Sequence, residues 1–469
     1  MTTFPVAAPD TSTPAVILKF DQNEMHHGGL GAIRSLGRLG VPVYGVHERP
    51  WAPAASSRYL RGRWIWHPDA EDVERTLAGL LTLAERIGRR AVLIPTDDAG
   101  AIFLAEHGGP LRQAFLFPSP PAGLPRRLAG KFSMHELCRE AGLPCPAATV
   151  PTALDAARDF AAGAGYPVIA KLATPWSVSS AGLRSTSVIR TDAELTALWH
   201  ACAVAGAGGV MLQEFIPAAT PGDWFFHGYC SANSDCRPAY TGIKLRSYPA
   251  HAGLTSLGCA VANDELATLV TALLAELSYR GLVDLDLRRD ARDGQYKLLD
   301  FNPRLGAQFR LFRNQDGLDV VLAAYLDLTG QAVPEGTQLN GRRFLVENYD
   351  PLAAFRYWRD GELRPGAWLA SLRSVNELAW FAGDDLRPFG LMCTRMAARA
   401  ITRRFRRPDR PGAPSGKPRY LAGRAHRHPA DPGPSAAAPG ELPVMDNTPH
   451  ILGTAGAVSV TRGNQYERR

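Results

Sequence analysis

The sequence has no apolar run approaching the roughly 20 residues that a membrane-spanning helix needs, and its opening stretch, MTTFPVAAPDTSTP, carries neither a basic flank nor a long apolar core. The expectation is a cytoplasmic protein without export signal or anchor. Cysteine is scarce: the seven residues at 138, 145, 202, 230, 236, 259 and 393 are odd in number and form no CxxC pair or Cys/His cluster. That argues against a disulfide framework and a structural zinc site, and for reduced thiols in cytosol. The G-x-G-x-x-G spacing of dinucleotide sites is also missing. In the nearest segment, HHGGLG, the glycines are out of register, so NAD is not expected. No repeat of 20 to 50 residues is present.

What is there describes a soluble enzyme. Hydrophobic residues make up 45% of the chain and charged residues 21%, near the globular average, and 469 residues suggest about three structural units. The net charge of +7 belongs to the end of the chain: residues 401–469 hold twelve Lys/Arg against five Asp/Glu, leaving the first 400 balanced. Nucleic acid is therefore not an expected partner. A solvated tail is the simpler reading, with contact to an anionic membrane surface as the alternative.

Residues 1–13 are rich in Thr, Pro and Ala and are expected to be disordered. From 14 to 126 the pattern is strand (Ala15 to Leu18), glycine-containing turn, short helix, second strand (Val41 to Val46), helix (about Asp72 to Ile87) and the strand AVLIP. This is a βαβ opening and implies a parallel sheet. The turn Thr96-Asp97-Asp98 follows AVLIP, at a carboxyl strand end where ligand groups often sit. After the Pro-rich break at 117–125, residues 127–346 alternate strands and helices as a second α/β unit. Residues 347–407 read as a helical extension, with Phe355, Trp358, Trp368 and Trp380 expected to pack on the preceding domain. Residues 408–469, dense in Pro, Gly and Ala, cannot bury enough surface to offset chain entropy and read as a disordered tail.

The most informative segment is GLVDLDLRRDARDGQYKLLDFNPR, two strand-like runs joined by a polar turn. Strand alternation places Asp284 and Asp286 on one face and Asp300 and Asn302 on one face of the partner. Opposed across a hairpin, these oxygens suit hard Mg²⁺, which typically takes one or two carboxylates plus substrate phosphates. Solvated surface acids are the bland alternative. The interleaved Val283, Leu285, Leu287, Leu299 and Phe301 weaken it, because unpaired charge among them would be costly. Arg304 stands where it could contact a phosphate. Lys131 follows the Pro-rich break and Lys171 ends the strand VIAK; an ammonium group beside apolar neighbours calls for an anion. In VMLQEFIP, Gln213, Glu214, Phe215 and Ile216 precede a proline, as in a crossing between lobes that can present backbone groups to an adenine edge.

In this order the segments resemble the ATP-grasp superfamily, specifically its carboxylate-amine ligases and among them the D-aspartate ligase-like group, over about residues 14–345. The resemblance implies an α/β (α+β) chain: an ATP-grasp fold at 127–346, a Rossmann-like domain before it at 14–126, and a helical extension and tail after it. It implies ATP and one or two Mg²⁺ ions as cofactors, with Mn²⁺ as a substitute. By position, Lys131 and Lys171 would contact ATP phosphates, Gln213, Glu214, Phe215 and Ile216 would hold adenine, and Asp223 would receive the ribose. Asp286, Asp300 and Asn302 would ligate the metal, with Asp284 the weaker candidate. Arg304 would orient the transferred phosphate, and Lys244 and Arg246 in GIKLRSYP would face the γ-phosphate and a substrate carboxylate. The implied activity joins a small-molecule carboxylate, from an amino acid or small peptide, to an amine. A cell-wall precursor and a natural-product peptide are both open as acceptor, and a nucleotide-binding regulator without turnover is the alternative. Two departures stand out: the loop after Lys171, ATPWSVSSAGLRS, is poor in glycine, leaving serines and Gly182 to cover phosphates, and aspartate replaces the glutamate common at metal positions. His26 and His27 read as turn residues or substrate contacts beside a helix N-terminus.

Overall fold

The computed structural model describes residues 9–172, 186–206, 209–250 and 253–405. The glycine-poor loop with Gly182 and the basic tail therefore lie outside the described residues.

The first sheet contains β1 (Ala15–Leu18), β2 (Val43–His47), β3 (Leu60–Ile65), β4 (Ala91–Pro95) and β5 (Phe115–Leu116) in the order β3-β2-β1-β4-β5, with every pairing parallel. Its central strands AVIL and AVLI are continuous apolar runs because helices cover both faces. Those helices are α1 (His27–Gly37), α2 (Val73–Ile87) and α3 (Asp98–His107). Asp72 caps α2 by accepting from Arg75 N, and Gly88 ends it in the left-handed conformation. Asp97 caps α3 and also accepts from Phe20 N and Asp21 N at 2.6 and 2.9 Å, tying the loop after β1 to the loop after β4.

Next come α4 (Leu124–Ala129) and α5 (Lys131–Glu140). A small antiparallel sheet follows, ordered β6-β9-β7-β8 from β6 (Ala148–Thr149), β7 (Val168–Leu172), β8 (Thr186–Ile189) and β9 (Val210–Glu214), covered by α6 (Leu154–Ala164) and α7 (Asp192–Ala205). The large sheet contains β10 (Ala218–Cys230), β11 (Cys236–Tyr248), β12 (Leu254–Ala260), β13 (Gly281–Asp290), β14 (Tyr296–Asn302), β15 (Arg343–Leu345) and β16 (Glu377–Leu378) in the order β14-β13-β10-β11-β12-β15-β16. Helices α8 (Asp264–Glu276) and α9 (Val320–Leu328) flank it.

The glycines of HHGGLG serve packing. A β-carbon at Gly28 would come within 3.0 Å of the Ala307 backbone, and one at Gly31 within 2.8 Å of the Phe309 ring. Only side-chain-free positions let α1 approach the segment after β14 this closely. The extension consists of α10 (Asp350–Arg359), α11 (Pro365–Leu372) and α12 (Arg387–Phe405). It returns to the first domain through buried Arg34, which donates to Asp385 Oδ2 at 3.0 Å and to the Trp380 carbonyl at 2.8 Å. Met392 of α12 is buried, and Arg395 donates to the Trp51 carbonyl. Trp380 packs fully inside, but Phe355 and Trp358 are 56% and 51% exposed, contrary to the expected packing. Their spacing along α10 puts them on its outer face, while Ala353 and Ala354 make the buried contact.

Candidate active site

The site begins with the β13–β14 register. Asp286 pairs with Asp300 and Asp284 with Asn302, so the period-two alternation of both strands delivers three carboxylates and an amide to one patch. Around it converge three lysines from separate elements. Lys131, the first residue of α5, ion-pairs with Asp300. Lys171, near the end of β7, donates to the Leu299 carbonyl at 3.2 Å. Lys244 of β11 lies 3.4 Å from Asp286 Oδ1, at ion-pair range without hydrogen-bond geometry. Arg304 donates to Asp284 Oδ2 at 2.8 Å, and its Nε is 3.5 Å from Asp98 Oδ1. The four acids and four cations offset one another.

Burial and pairing split the acids. Burial raises the Asp284 carboxyl against the pull of Arg304, and raises Asp286 against Lys244. At Asp300 burial also pushes up, but Lys131 and then Lys171 outweigh it and the carboxyl ends below its ordinary value. Lys131 and Lys244 are held above the ordinary lysine value because Asp300 and Asp286, respectively, overcome their burial. Lys171, whose carbonyl partner is neutral, is pushed down to about 8 by burial.

A cleft opens over this patch, lined by Lys171, Gln213, Phe215, Asp223, Lys244 and Asp286 among others. Gln213 is buried with Nε2 unpartnered. Glu214 Oε2 accepts from Ala147 N at 3.1 Å, and Oε1 lies 2.6 Å from Arg292. The Ile216 carbonyl and Asp223 Oδ1 both accept from Arg288, at 3.2 and 2.7 Å. Arg246 stands apart: it neighbours Lys244 in sequence but forms a buried two-point pair with Asp350 at 2.8 and 2.9 Å and bonds Ser371 Oγ. His27 packs between Phe344 and Trp380 with ring centroids 5.8 and 6.0 Å away. Residues not singled out from the sequence as part of this cluster are Asp98 and His227. Fully buried His227 lies 3.2 Å from Asp284 Oδ1 and opposite it in register. The turn after β4 pointed to Asp98; nothing local marks His227.

Two oxygens of the patch are open to a divalent cation. Asp284 Oδ1 and Asp286 Oδ1 are shut off from solvent and accept no hydrogen bond, so lone pairs are free. Among the described residues no three His, Cys, Asp or Glu side chains form a metal site by themselves. A partial oxygen set of this kind fits Mg²⁺ shared with phosphate oxygens and water.

The arrangement is that of the ATP-grasp fold. The biotin carboxylase domain of *Hydrogenobacter thermophilus* 2-oxoglutarate carboxylase, solved with MgADP, ADP and bicarbonate, has a TM-score of 0.50 and 16% identity, covering 70% of this chain and 72% of that one. N5-carboxyaminoimidazole ribonucleotide synthetase in its ADP complex has a TM-score of 0.51 and 15% identity over 70% and 80%. In sequence, the chain is similar to D-aspartate ligase of *Enterococcus faecium* (strain Aus0004), 25% identical over 227 residues, 46% of this chain and 54% of that protein. It thus spans about half the length of that relative. No family model matches the sequence. Among the described residues no helix is long and apolar enough to cross a membrane.

Proposed function

We propose that the protein is an ATP-dependent carboxylate-amine ligase. The observation that carries the proposal is the facing of Asp286 and Asp300 under three converging lysines, in a cleft bounded by the β9 hinge. The name of the *E. faecium* relative supports this reaction class and an amino acid as one substrate. The ADP and MgADP carried by the structural neighbours support the nucleotide and the metal.

In this reading adenine lies against Gln213, Glu214, Phe215 and Ile216, with the ribose at Asp223 and the phosphates at Lys131 and Lys171. Asp286, Asp300 and Asn302 would hold one or two Mg²⁺ ions, or Mn²⁺, which when bound neutralise phosphate charge and polarise the γ-phosphoryl group. A substrate carboxylate oxygen attacks the γ-phosphorus, the bond to the β-bridging oxygen breaks, and ADP leaves. The amine then attacks the acyl carbon, loses a proton, and phosphate departs. Lys244 and Arg304 stabilise the charge on the moving phosphoryl group, and Arg246 positions Lys244 by fixing β11 to α10. The reaction requires that water be kept from the acyl phosphate, which it would hydrolyse.

The test is phosphate release from ATP across pools of carboxylates and amines, with mass spectrometry of the product. Pool-dependent release that Asp300→Ala abolishes is the expected result. Wild-type protein that binds ATP, and from which no pool elicits phosphate release, would instead be a nucleotide-binding regulator.

A further inference from the structure

One strand, β13, runs from the metal-side acids to the hinge, and the arginines beyond Asp286 reach the hinge from two sides. Arg288 stands two residues past Asp286, on the same face of the strand, and both line the cleft. It is opposite Asp223 in the β10–β13 register. Its Nε donates to Asp223 Oδ1 at 2.7 Å and its Nη1 to the Ile216 carbonyl at 3.2 Å. One guanidinium therefore ties the end of the hinge to the acid beyond it.

Arg292, in the β13–β14 turn, grips the start of the hinge. Its Nη1 lies 2.6 Å from Glu214 Oε1, while Nε and Nη2 donate to Asp290 at 2.9 and 2.6 Å. Asp290 is fully buried and also pairs with Lys297 at 2.8 Å. Exposed ion pairs contribute little, partly because two mobile side chains must be ordered together. Here Asp290 already orders the arginine. The turn is tied to the chain after the hinge as well, since Ala291 N donates to the Pro217 carbonyl at 2.9 Å and Asp290 is opposite Ala218 in register.

Both oxygens of Glu214 thus have donors: Arg292 at Oε1 and Ala147 N at Oε2, 3.1 Å away. A charged donor makes the stronger bond, so an exocyclic amine competes poorly for Oε1.

We infer that Arg288 and Arg292 are positioning residues for the nucleotide. They hold Glu214, Ile216 and Asp223 at a set distance from Asp286, so that one strand fixes the span between the base and the metal-side acids. The Glu214 carboxylate is a latch for Arg292, and the base is read by backbone groups of the hinge. This rests on the ligase reading only in placing a nucleotide in the cleft.

The test is calorimetric titration of the full chain, with Mg²⁺, by ADP and by purine riboside 5′-diphosphate, which lacks the 6-amino group. Arg288→Met and Arg292→Met should each weaken ADP about tenfold, and Arg292→Lys should recover most of that loss. Glu214→Gln should weaken the two nucleotides by the same factor. A loss confined to ADP in Glu214→Gln puts the carboxylate on the amine and overturns the latch. ADP affinity unchanged in both methionine variants overturns the positioning role, even where the urea midpoint falls, because the pairs are then structural only. Wild-type protein that binds ADP with these variant effects yet joins no carboxylate to an amine keeps the inference while the ligase reading falls. Wild-type protein that binds no ADP overturns both.

Discussion

Asp286 sits opposite Asp300 across the β13–β14 hairpin, yet the two carboxylates have different partners: Asp300 is ion-paired with Lys131 from α5, and Asp286 faces Lys244 from β11. Each acid thus links the hairpin to a different part of the chain, and the cation pairs hold the acids in place before any nucleotide arrives.

Asp300→Asn removes that charge while keeping the volume. Turnover should fall about 100-fold or more, the scale of removing one preorganised electrostatic group from an active site. The urea midpoint should barely move, because the Asp300 and Lys131 side chains are 30% and 41% exposed and such pairs add little stability. Unchanged phosphate release would remove Asp300 from the mechanism.

Lys171, held near 8, is charged at pH 7 and largely neutral at pH 9. A bound phosphate favours its charged form, so nucleotide binding above pH 8 takes up a proton and weakens as pH rises. ADP affinity measured at pH 7, 8 and 9 should decline across that range, and Lys171→Met should flatten the decline.

His27 and His47 have folded-state values of about 4 and 3, below the ordinary 6.5 of an unfolded histidine. Between those limits the unfolded chain binds more protons, so their contribution to stability is full above pH 6.5 and is lost as pH falls toward 4 and 3. Urea midpoints at pH 7.5, 6 and 5 should drop in that order. His47→Gln should show a shallower drop, and an unchanged slope would mean that His47 is not neutral in the fold.

Arg246 and Lys244 should separate in their effects. Arg246→Met leaves Asp350, which also accepts from Ser256 and Trp368, as a buried charge without its cation, at a cost of about 3–5 kcal/mol read from urea unfolding. Lys244→Met should instead lower kcat with a smaller loss of stability, because Asp286 is 32% exposed where Asp350 is fully buried. The reverse pattern would place Arg246 on the substrate.

A β-carbon at Gly306 would overlap the His227 ring and come within 2.7 Å of Asp284 Cγ. Gly306→Ala should therefore cost about 1–3 kcal/mol in overpacking and displace Asp284 and Arg304. Differential scanning calorimetry and phosphate release should show both losses together.

Part of this site was legible without coordinates. The alternation of Asp284 and Asp286 and the apolar residues between them implied a shared face, and the hairpin register follows from that pattern and its turn. The exposed Phe355 and Trp358 show the limit: aromatic spacing along α10 does not say which face meets a neighbour. Arg246 shows it again, since a basic residue beside Lys244 carries no local mark of a partner 104 positions away.

The sequence by itself determined the parallel strands as apolar runs, the capped helices, and the order of lysines, hinge and acids, because each depends on residues within a few positions. Only the tertiary structure decided which groups meet: Lys131 with Asp300 across 169 positions, the α1 glycines with Ala307 and Phe309, and Arg246 with Asp350. Those meetings are selected by long-range packing and by the cost of leaving buried charge unpaired, and neither leaves a periodic trace in a single chain.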